Sequence, residues 1–196
     1  MTTDTIEHSL ARRLKALTHE THDRLDKSIM RAASFASLEA YARFVAVQYL
    51  FHRDIDALYD DARLQRLLPG LADRRRLDLI AADLGDLGAA IPETGETPAF
   101  VIGAVDVPTA LGWFYVAEGS NMGAALLRKE VAKLGLSDEH GGRHLAPTPE
   151  GPAAHWRAFT EALDAAKVDP QEETRVVAGA HAAFARVQSL VDAHIG

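Results

Sequence analysis

The most unusual local sequence of the chain is Leu111-Gly-Trp-Phe-Tyr-Val-Ala-Glu-Gly-Ser-Asn-Met-Gly-Ala-Ala125. It lies in a segment with helical periodicity, yet three glycines interrupt it: Gly112, Gly119 and Gly123. A glycine inside a helix costs about 1 kcal/mol relative to alanine, so each one needs a compensating reason. The last two have the four-residue spacing that suits close approach of another helix. They also fit a bend that lets the helix backbone lie flat against a planar ligand.

The remainder of the 196-residue chain also repeats its apolar residues at a period near 3.6, which predicts an all-α protein. The predicted helices cover about residues 6–30, 38–66, 74–87, 107–135, 153–166 and 170–194. Their predicted N-caps are Ser37, Asp73, Asp106 and Asp169. The apolar stripe of the first helix is Leu10, Leu14, Leu17, Leu25 and Ile29. We expect a single domain over residues 1–196, with about residues 1–8 as a candidate disordered start.

Composition limits the chemistry that the chain can perform. The absence of cysteine excludes disulfides, iron–sulfur clusters, thiolate zinc sites and cysteine nucleophiles. Twenty-one Lys and Arg against 28 Asp and Glu give a net charge of −7, unlike the basic surface of a nucleic-acid binder. No apolar run could span a bilayer, and neither a signal peptide nor a C-terminal apolar anchor is evident. We therefore expect a soluble, cytoplasmic monomer that binds neither nucleic acid nor membrane.

Basic residues nevertheless cluster in two places, at Arg12, Arg13 and Lys15 and at Arg74 to Arg76. Each run is consistent with a solvated helix face. Each is also consistent with a local site for an anionic small molecule.

The first predicted helix carries a second functional signal, Lys15-Ala-Leu-Thr-His-Glu-Thr-His-Asp-Arg-Leu-Asp26. Lys15 and His22 are separated by close to two helical turns and so project from nearly one face. Asp26 follows His22 by one turn and can accept a hydrogen bond from Nδ1, which leaves Nε2 free to bind a metal. A histidine beside an apolar stripe is also a common core residue. A third interpretation is an iron or zinc site shared by His19, His22 and Asp26, with Glu118 as a further ligand.

Together the two segments resemble the heme oxygenase family, in particular its short bacterial, biliverdin-producing branch. Thr18-His-Glu-Thr-His-Asp-Arg-Leu-Asp26 is similar to the proximal-helix motif of that family, and the stretch from Gly112 to Gly123 is similar to its distal-helix motif. Their order and their separation by about a hundred residues also match. The resemblance runs from about residue 10 to residue 188 and includes three further segments: Phe44–His52, Leu68–Ala72 and Gly142–Ala146.

The resemblance implies an all-α, single-domain, multi-helix bundle in which heme is sandwiched between the first (proximal) and fourth (distal) helices. It implies that His22 is the axial ligand of the heme iron and that Asp26 orients it. The implied reaction is oxidative cleavage of heme to biliverdin, carbon monoxide and ferrous iron, with heme as both substrate and cofactor and O2 as co-substrate. We expect electrons from an external donor, an NADPH-dependent reductase or a ferredoxin, because the chain has no glycine-rich nucleotide-binding loop after a strand.

On the distal side, the resemblance implies that Gly119 and Gly123 leave room for oxygen over the porphyrin edge. The larger relatives carry a distal aspartate that this sequence lacks, so no single side chain is identified as the proton donor. Three polar residues match positions of a remote water network in bacterial members: Gln48, His52 and Arg76. These three are equally consistent with ordinary polar residues.

At the heme edge, Lys15 and Tyr115 match a pair that holds the propionates in family members that open the ring at the α-meso carbon. Ser120 is a further heme-binding candidate. Members with unusual isomers use a later lysine on the distal helix, where this sequence has Glu130, although Lys129 adjoins it. The resemblance thus predicts the α isomer of biliverdin.

Two other functions stay open at the level of sequence. One is a non-catalytic heme-binding or storage protein of the same fold, against which the two distal glycines argue. The other is an enzyme of the same helical class with another substrate, such as a thiamin-degrading relative or a di-iron oxidase. The lack of cysteine and of a Glu/His ligand set spread over several helices argues against this last class.

Overall fold

A computed structural model describes residues 9–31 and 34–195, so the expectation for residues 1–8 lies outside the described residues. All the helices and turns within these ranges confirm the predicted all-α class, and the only β pairing described there is isolated bridges within residues 137–141. Seven α-helices are described: α1 (Leu10–Arg31), α2 (Leu38–Ile55), α3 (Ala62–Leu67), α4 (Leu77–Asp86), α5 (Val107–Lys133), α6 (Pro152–Ala165) and α7 (Pro170–His194). Three short 3-10 turns accompany them: Asp56–Asp60, Leu71–Arg74 and Arg143–Leu145.

Three of the four predicted N-caps are confirmed. The Ser37 hydroxyl accepts a hydrogen bond from the Ala40 amide, and the Asp106 carboxylate accepts one from the Thr109 amide. Asp169 forms a full capping box with Glu172, preceded by Pro170 at the first helical position. Helices α2, α5 and α7 therefore begin where their side chains satisfy the free amides of the first turn.

The predicted second helix is wrong beyond Ile55. A 3-10 turn follows, after which Asp61 adopts an extended backbone and accepts hydrogen bonds from the amides of Arg63 and Leu64. Because that carboxylate satisfies the start of a new helix, the old one ends before it. The extra helix α3 makes the distal candidate the fifth α-helix, α5, and not the fourth.

Two further local predictions are wrong. Asp73 is not a cap, because it lies inside the 3-10 turn Leu71–Arg74, and α4 begins after Arg76 without a side-chain cap. Leu17 does not belong to the buried stripe of α1, since it is 55% exposed on a solvent-facing flank.

Helices α5 and α7 approach each other backbone to backbone. A Cβ atom on Gly112 would clash with the carbonyl oxygen of Val176, and one on Gly179 would clash with that of Thr109. A glycine on each helix therefore permits the close approach. The packing explanation is correct for Gly112.

Two apolar clusters hold α5 in place. The larger joins the N-terminal half of α5 to α1, α2, α6 and α7. The smaller lies under its C-terminal half and consists of Tyr41, Phe44, Val45, Ile80, Leu84, Ala124, Val131 and Leu145. Among the helices described, none has the length and apolar character needed to cross a membrane.

Candidate functional site

His22 projects from α1 beside its apolar stripe, with 54% of its side chain exposed. Its Nδ1 lies 3.5 Å from Oδ2 of Asp26 and 3.8 Å from Oδ1 of Asp23. The ring meets the buried Phe184 edge-on, with centroids 6.0 Å apart. The carboxylates direct Nδ1 toward α1, which leaves Nε2 as the nitrogen for an added ligand.

The alternative iron or zinc site receives no support. His19 is paired with Asp23 at 3.6 Å, and Glu118 is buried in contact with Arg74 and His155. Within residues 9–31 and 34–195, no group of three or more His, Asp or Glu side chains is placed to hold a metal ion.

Helix α5 presents an open apolar face. Residues 110–118 are buried on every side of the helix, including Leu111 and Tyr115. From Gly119 onward the continuation of the face of Leu111 and Tyr115 is exposed: Met122 is 44% and Leu126 60% exposed, and nothing lies within 4 Å of a Cβ built on Gly123. An exposed apolar strip beside a bare backbone is typical of a surface that receives an apolar, planar ligand. Sequence reasoning identified the glycines and missed Met122 and Leu126, although helical spacing places all four on one side.

Trp156 of α6 lies at the side-chain position of Gly119, at the edge of the open face. Two ring carbons of Trp156 lie 3.7 Å from a Cβ built on Gly119, an ordinary contact distance. The same indole packs against the Tyr115 ring, with centroids 5.6 Å apart. Gly119 and Gly123 therefore differ, since a side chain at 119 points toward Trp156 whereas one at 123 enters open space.

Tyr115 links α5 to α1. Burial raises the pKa of its hydroxyl, which is hydrogen-bonded to Thr18. Thr18 donates its own proton to the Leu14 carbonyl at 2.8 Å, so the Tyr115 hydroxyl is the donor between the two. Lys15 is exposed, and the Ser120 hydroxyl donates to the Ala117 carbonyl at 2.7 Å. The hydroxyls of Tyr115 and Ser120 thus already make hydrogen bonds within the protein, whereas the polar group of Lys15 is exposed.

Arg76 lies close enough to His52 for its charge to act on the imidazole, and Gln48 is half-buried one turn before His52. Burial, reinforced by the positive charge of Arg76 and by His144, lowers the pKa of His52 to about 3. Its Nδ1 is buried and makes no hydrogen bond to a described residue. Burial also lowers the pKa of Arg76, which donates to the His144 carbonyl. His52 is therefore a neutral imidazole near pH 7.

His144 extends this group, and sequence reasoning assigned it no role. Its Nδ1 lies 2.7 Å from Oδ2 of Asp83, while its Nε2 is buried without a hydrogen-bond partner among the described residues. Burial would raise the pKa of Asp83, but hydrogen bonds from His144 and the Arg143 amide outweigh it and lower that pKa. The only sequence signal for His144 is its position in the segment Gly142–Ala146.

A second buried polar group, which sequence reasoning missed, joins α5 to α6. Glu118 Oε2 lies 2.6 Å from Arg74 Nη1 and 3.0 Å from His155 Nε2. The other His155 nitrogen, Nδ1, lies 3.2 Å from the exposed Glu150.

The basic runs serve mainly to hold helices together. Arg13 pairs with Glu173 at 2.6 Å, and Arg75 pairs with Asp60 at 2.6 Å. Arg74 and Arg76 make the hydrogen bonds to Glu118 and to the His144 carbonyl described above. Lys15 is the residue of these runs that best fits a contact with an anionic ligand at the His22 face.

Comparison with known proteins decides the family. A model of the heme oxygenase family matches residues 8–193. The chain belongs to the heme oxygenase family. Heme oxygenase PigA of Pseudomonas aeruginosa is 42% identical to this chain over 182 residues, which cover 93% of this chain and 91% of PigA. The resemblance inferred from the sequence is confirmed.

Solved heme oxygenase structures agree with the fold. The NO- and CO-bound heme oxygenase from Neisseria meningitidis superposes with a TM-score of 0.89 at 39% identity, covering 96% of this chain and 92% of that one. Heme oxygenase 2 from Chlamydomonas reinhardtii, solved without heme, gives a TM-score of 0.78 at 18% identity, covering 95% and 97%. At that identity the second likeness establishes the shared fold alone.

Proposed function

We propose that this protein cleaves heme oxidatively to biliverdin, carbon monoxide and ferrous iron, with O2 and electrons from a separate NADPH-dependent reductase or ferredoxin. The observation that carries the proposal is the open face of α5, where Gly123, Met122 and Leu126 form a bare apolar surface. His22 on α1 supplies an accessible imidazole for the other side of a planar ligand. The likeness to PigA, which is named a heme oxygenase, supports the same assignment.

The residues present fit heme. Nε2 of His22 would bind the iron, and Asp26 would hold the imidazole by accepting from Nδ1, as its 3.5 Å separation permits. Met122 and Leu126 would cover the apolar part of the ring. Heme, when bound, supplies the iron that activates O2 and the porphyrin that is cleaved. A thiolate ligand on the iron would favour cleavage of the O–O bond, and this sequence contains no cysteine that could supply one.

Gly123 would keep a side chain away from the distal face, and Gly119, whose side-chain position meets Trp156, would leave the backbone bare at the edge of that face. O2 would then have room over the porphyrin edge. Neutral His52 can accept a hydrogen bond at one ring nitrogen and donate one from the other. Arg76 and Gln48 flank it. We propose that these three residues, with intervening water, deliver protons to the distal side from a distance.

Lys15 would pair with a propionate, a charge-assisted contact that fixes the rotation of heme in its plane. Tyr115 and Ser120 would assist once their hydroxyls leave Thr18 and Ala117. Glu130 pairs with Lys133 at 2.7 Å and carries the wrong charge for a propionate. This arrangement favours cleavage at the α-meso carbon.

The test is to mix the protein with hemin, record the visible spectrum, and then add a reductant in air. Turnover bleaches the Soret band and yields a bile pigment with carbon monoxide. A Soret band that persists under these conditions would favour a storage protein instead. We further propose that the protein acts as a cytoplasmic monomer, for which sedimentation and cell fractionation are the corresponding measurements.

A further inference from the structure

The buried cluster of Arg74, Glu118 and His155 has no part in the proposed chemistry. Glu118 is 2% exposed, and its Oε2 lies within hydrogen-bond distance of both Arg74 Nη1 and His155 Nε2. Arg74 also donates through Nη2 to the His155 carbonyl at 3.3 Å, and its Nη1 lies 2.9 Å from His155 Nε2. We infer that this cluster positions the Gly119–Gly123 segment of α5 over the heme site.

The Gly119–Gly123 segment needs such support because its own side chains supply little packing. Upstream, Gly112 locks α5 against α7, and downstream Ala124 and Val131 pack into the smaller apolar cluster. Between these anchors the helix contains two glycines and exposes one face, so its backbone is the least constrained part of α5. Glu118 is the last fully buried side chain before that gap.

Stability alone does not account for the cluster. Removing ionised groups from water is costly, and apolar residues of similar size often replace a buried ion pair without loss of stability. Charged hydrogen bonds are short and directional, so they fix where two helices meet more narrowly than apolar contacts do. The cluster therefore fixes the position of α5 relative to α6.

The geometry connects this position to the glycine. His155 and Trp156 are consecutive on α6: the first bonds to Glu118, and two ring carbons of the second lie 3.7 Å from a Cβ built on Gly119. Arg74 holds the α6 backbone at the His155 carbonyl. One turn of α6 is thus fastened to α5 at the residue where the open face begins. Glu118 and His155 are positioning residues for a reaction in which displacement by 1 Å can cost about a hundredfold in rate.

The inference rests on the proposed function, and its test separates the two. Hydrogen–deuterium exchange is measured on the heme-free protein for wild type, His155→Ala, His155→Gln and the surface control His140→Gln. We expect His155→Ala to speed exchange at residues 117–124 by about tenfold, with residues 107–114 and α7 unchanged. His155→Gln, which restores a donor near the Nε2 position, should recover most of the protection. If His155→Ala does not fold, Glu118→Gln supplies the same readout.

With heme added, we expect His155→Ala to bind heme within about threefold of wild type while turning it over about tenfold more slowly. Unchanged exchange at residues 117–124, or a uniform increase over all helices, would overturn the inference. A wild-type protein that leaves heme intact would defeat the proposed function, whereas the exchange result on heme-free protein would still stand.

Discussion

Gly112 and Gly123 lie on one helix, yet the structure predicts opposite effects of the same substitution. At Gly123 a new Cβ meets nothing within 4 Å, so Gly123→Ala gains helix propensity and should stabilise the heme-free protein by about 0.5–1 kcal/mol. At Gly112 a new Cβ meets backbone atoms of Val176 and Ala180, which cannot rotate away. Helices α5 and α7 must separate, and Gly112→Ala should destabilise by about 2–3 kcal/mol.

Urea unfolding followed by far-ultraviolet circular dichroism measures both changes. Gly85→Ala in α4 is the matched control, because a Cβ there also meets nothing within 4 Å. It should shift the unfolding free energy upward by about as much as Gly123→Ala. Equal effects of Gly112→Ala and Gly123→Ala would refute the assignment of one glycine to packing and the other to an open face.

Three other predictions concern the site itself. Gly123→Leu should lower the rate of heme degradation by at least about tenfold while the fold survives, because its side chain enters the open face; Gly85→Leu should have no such effect, and normal turnover by Gly123→Leu would place the glycine outside the site. The pKa of His52 is lowered from 6.5 to about 3 in the folded state, so unfolding takes up a proton in that range. The contribution of neutral His52 to the free energy of unfolding is complete above about pH 6.5 and should fall by about 1.4 kcal/mol per pH unit below it. In urea unfolding between about pH 6 and 4, His52→Gln should therefore show a shallower dependence of that free energy on pH. A dependence identical to wild type would contradict the burial of His52. Chromatography of the pigment should show α-biliverdin from wild type and a mixture from the Lys15→Asn, Tyr115→Phe double variant, whereas an unchanged product would remove both residues from propionate binding.

The helices with strong local signals were predictable. Asp106 before α5 and the capping box at Asp169 each place an acceptor where a helix must begin, so their prediction required only local chemistry. Asp61 and Asp73 look alike in the sequence, but the first caps a helix and the second lies within a 3-10 turn. Local patterns cannot distinguish the two.

The site shows the same division. The spacing of His22 and Asp26 predicted their contact because one helix carries both. The distinction between Gly112 and Gly123 depends on where α7 crosses, and the link between Glu118 and His155 joins residues 37 positions apart. Neither leaves a periodic trace in a single sequence, which is why these features emerged only from the folded structure.

The role of His22 as the iron ligand can be tested by the Soret absorbance of the hemin-loaded protein after a reductant is added in air, compared between His22→Ala and His19→Ala. Both histidines are exposed on α1 one turn apart, and each lies near a carboxylate, so the pair is closely matched. We predict that His19→Ala loses its Soret band and forms biliverdin as wild type does, whereas His22→Ala does not. Turnover that persists in His22→Ala, or that disappears only in His19→Ala, would contradict the assignment of His22 as the iron ligand.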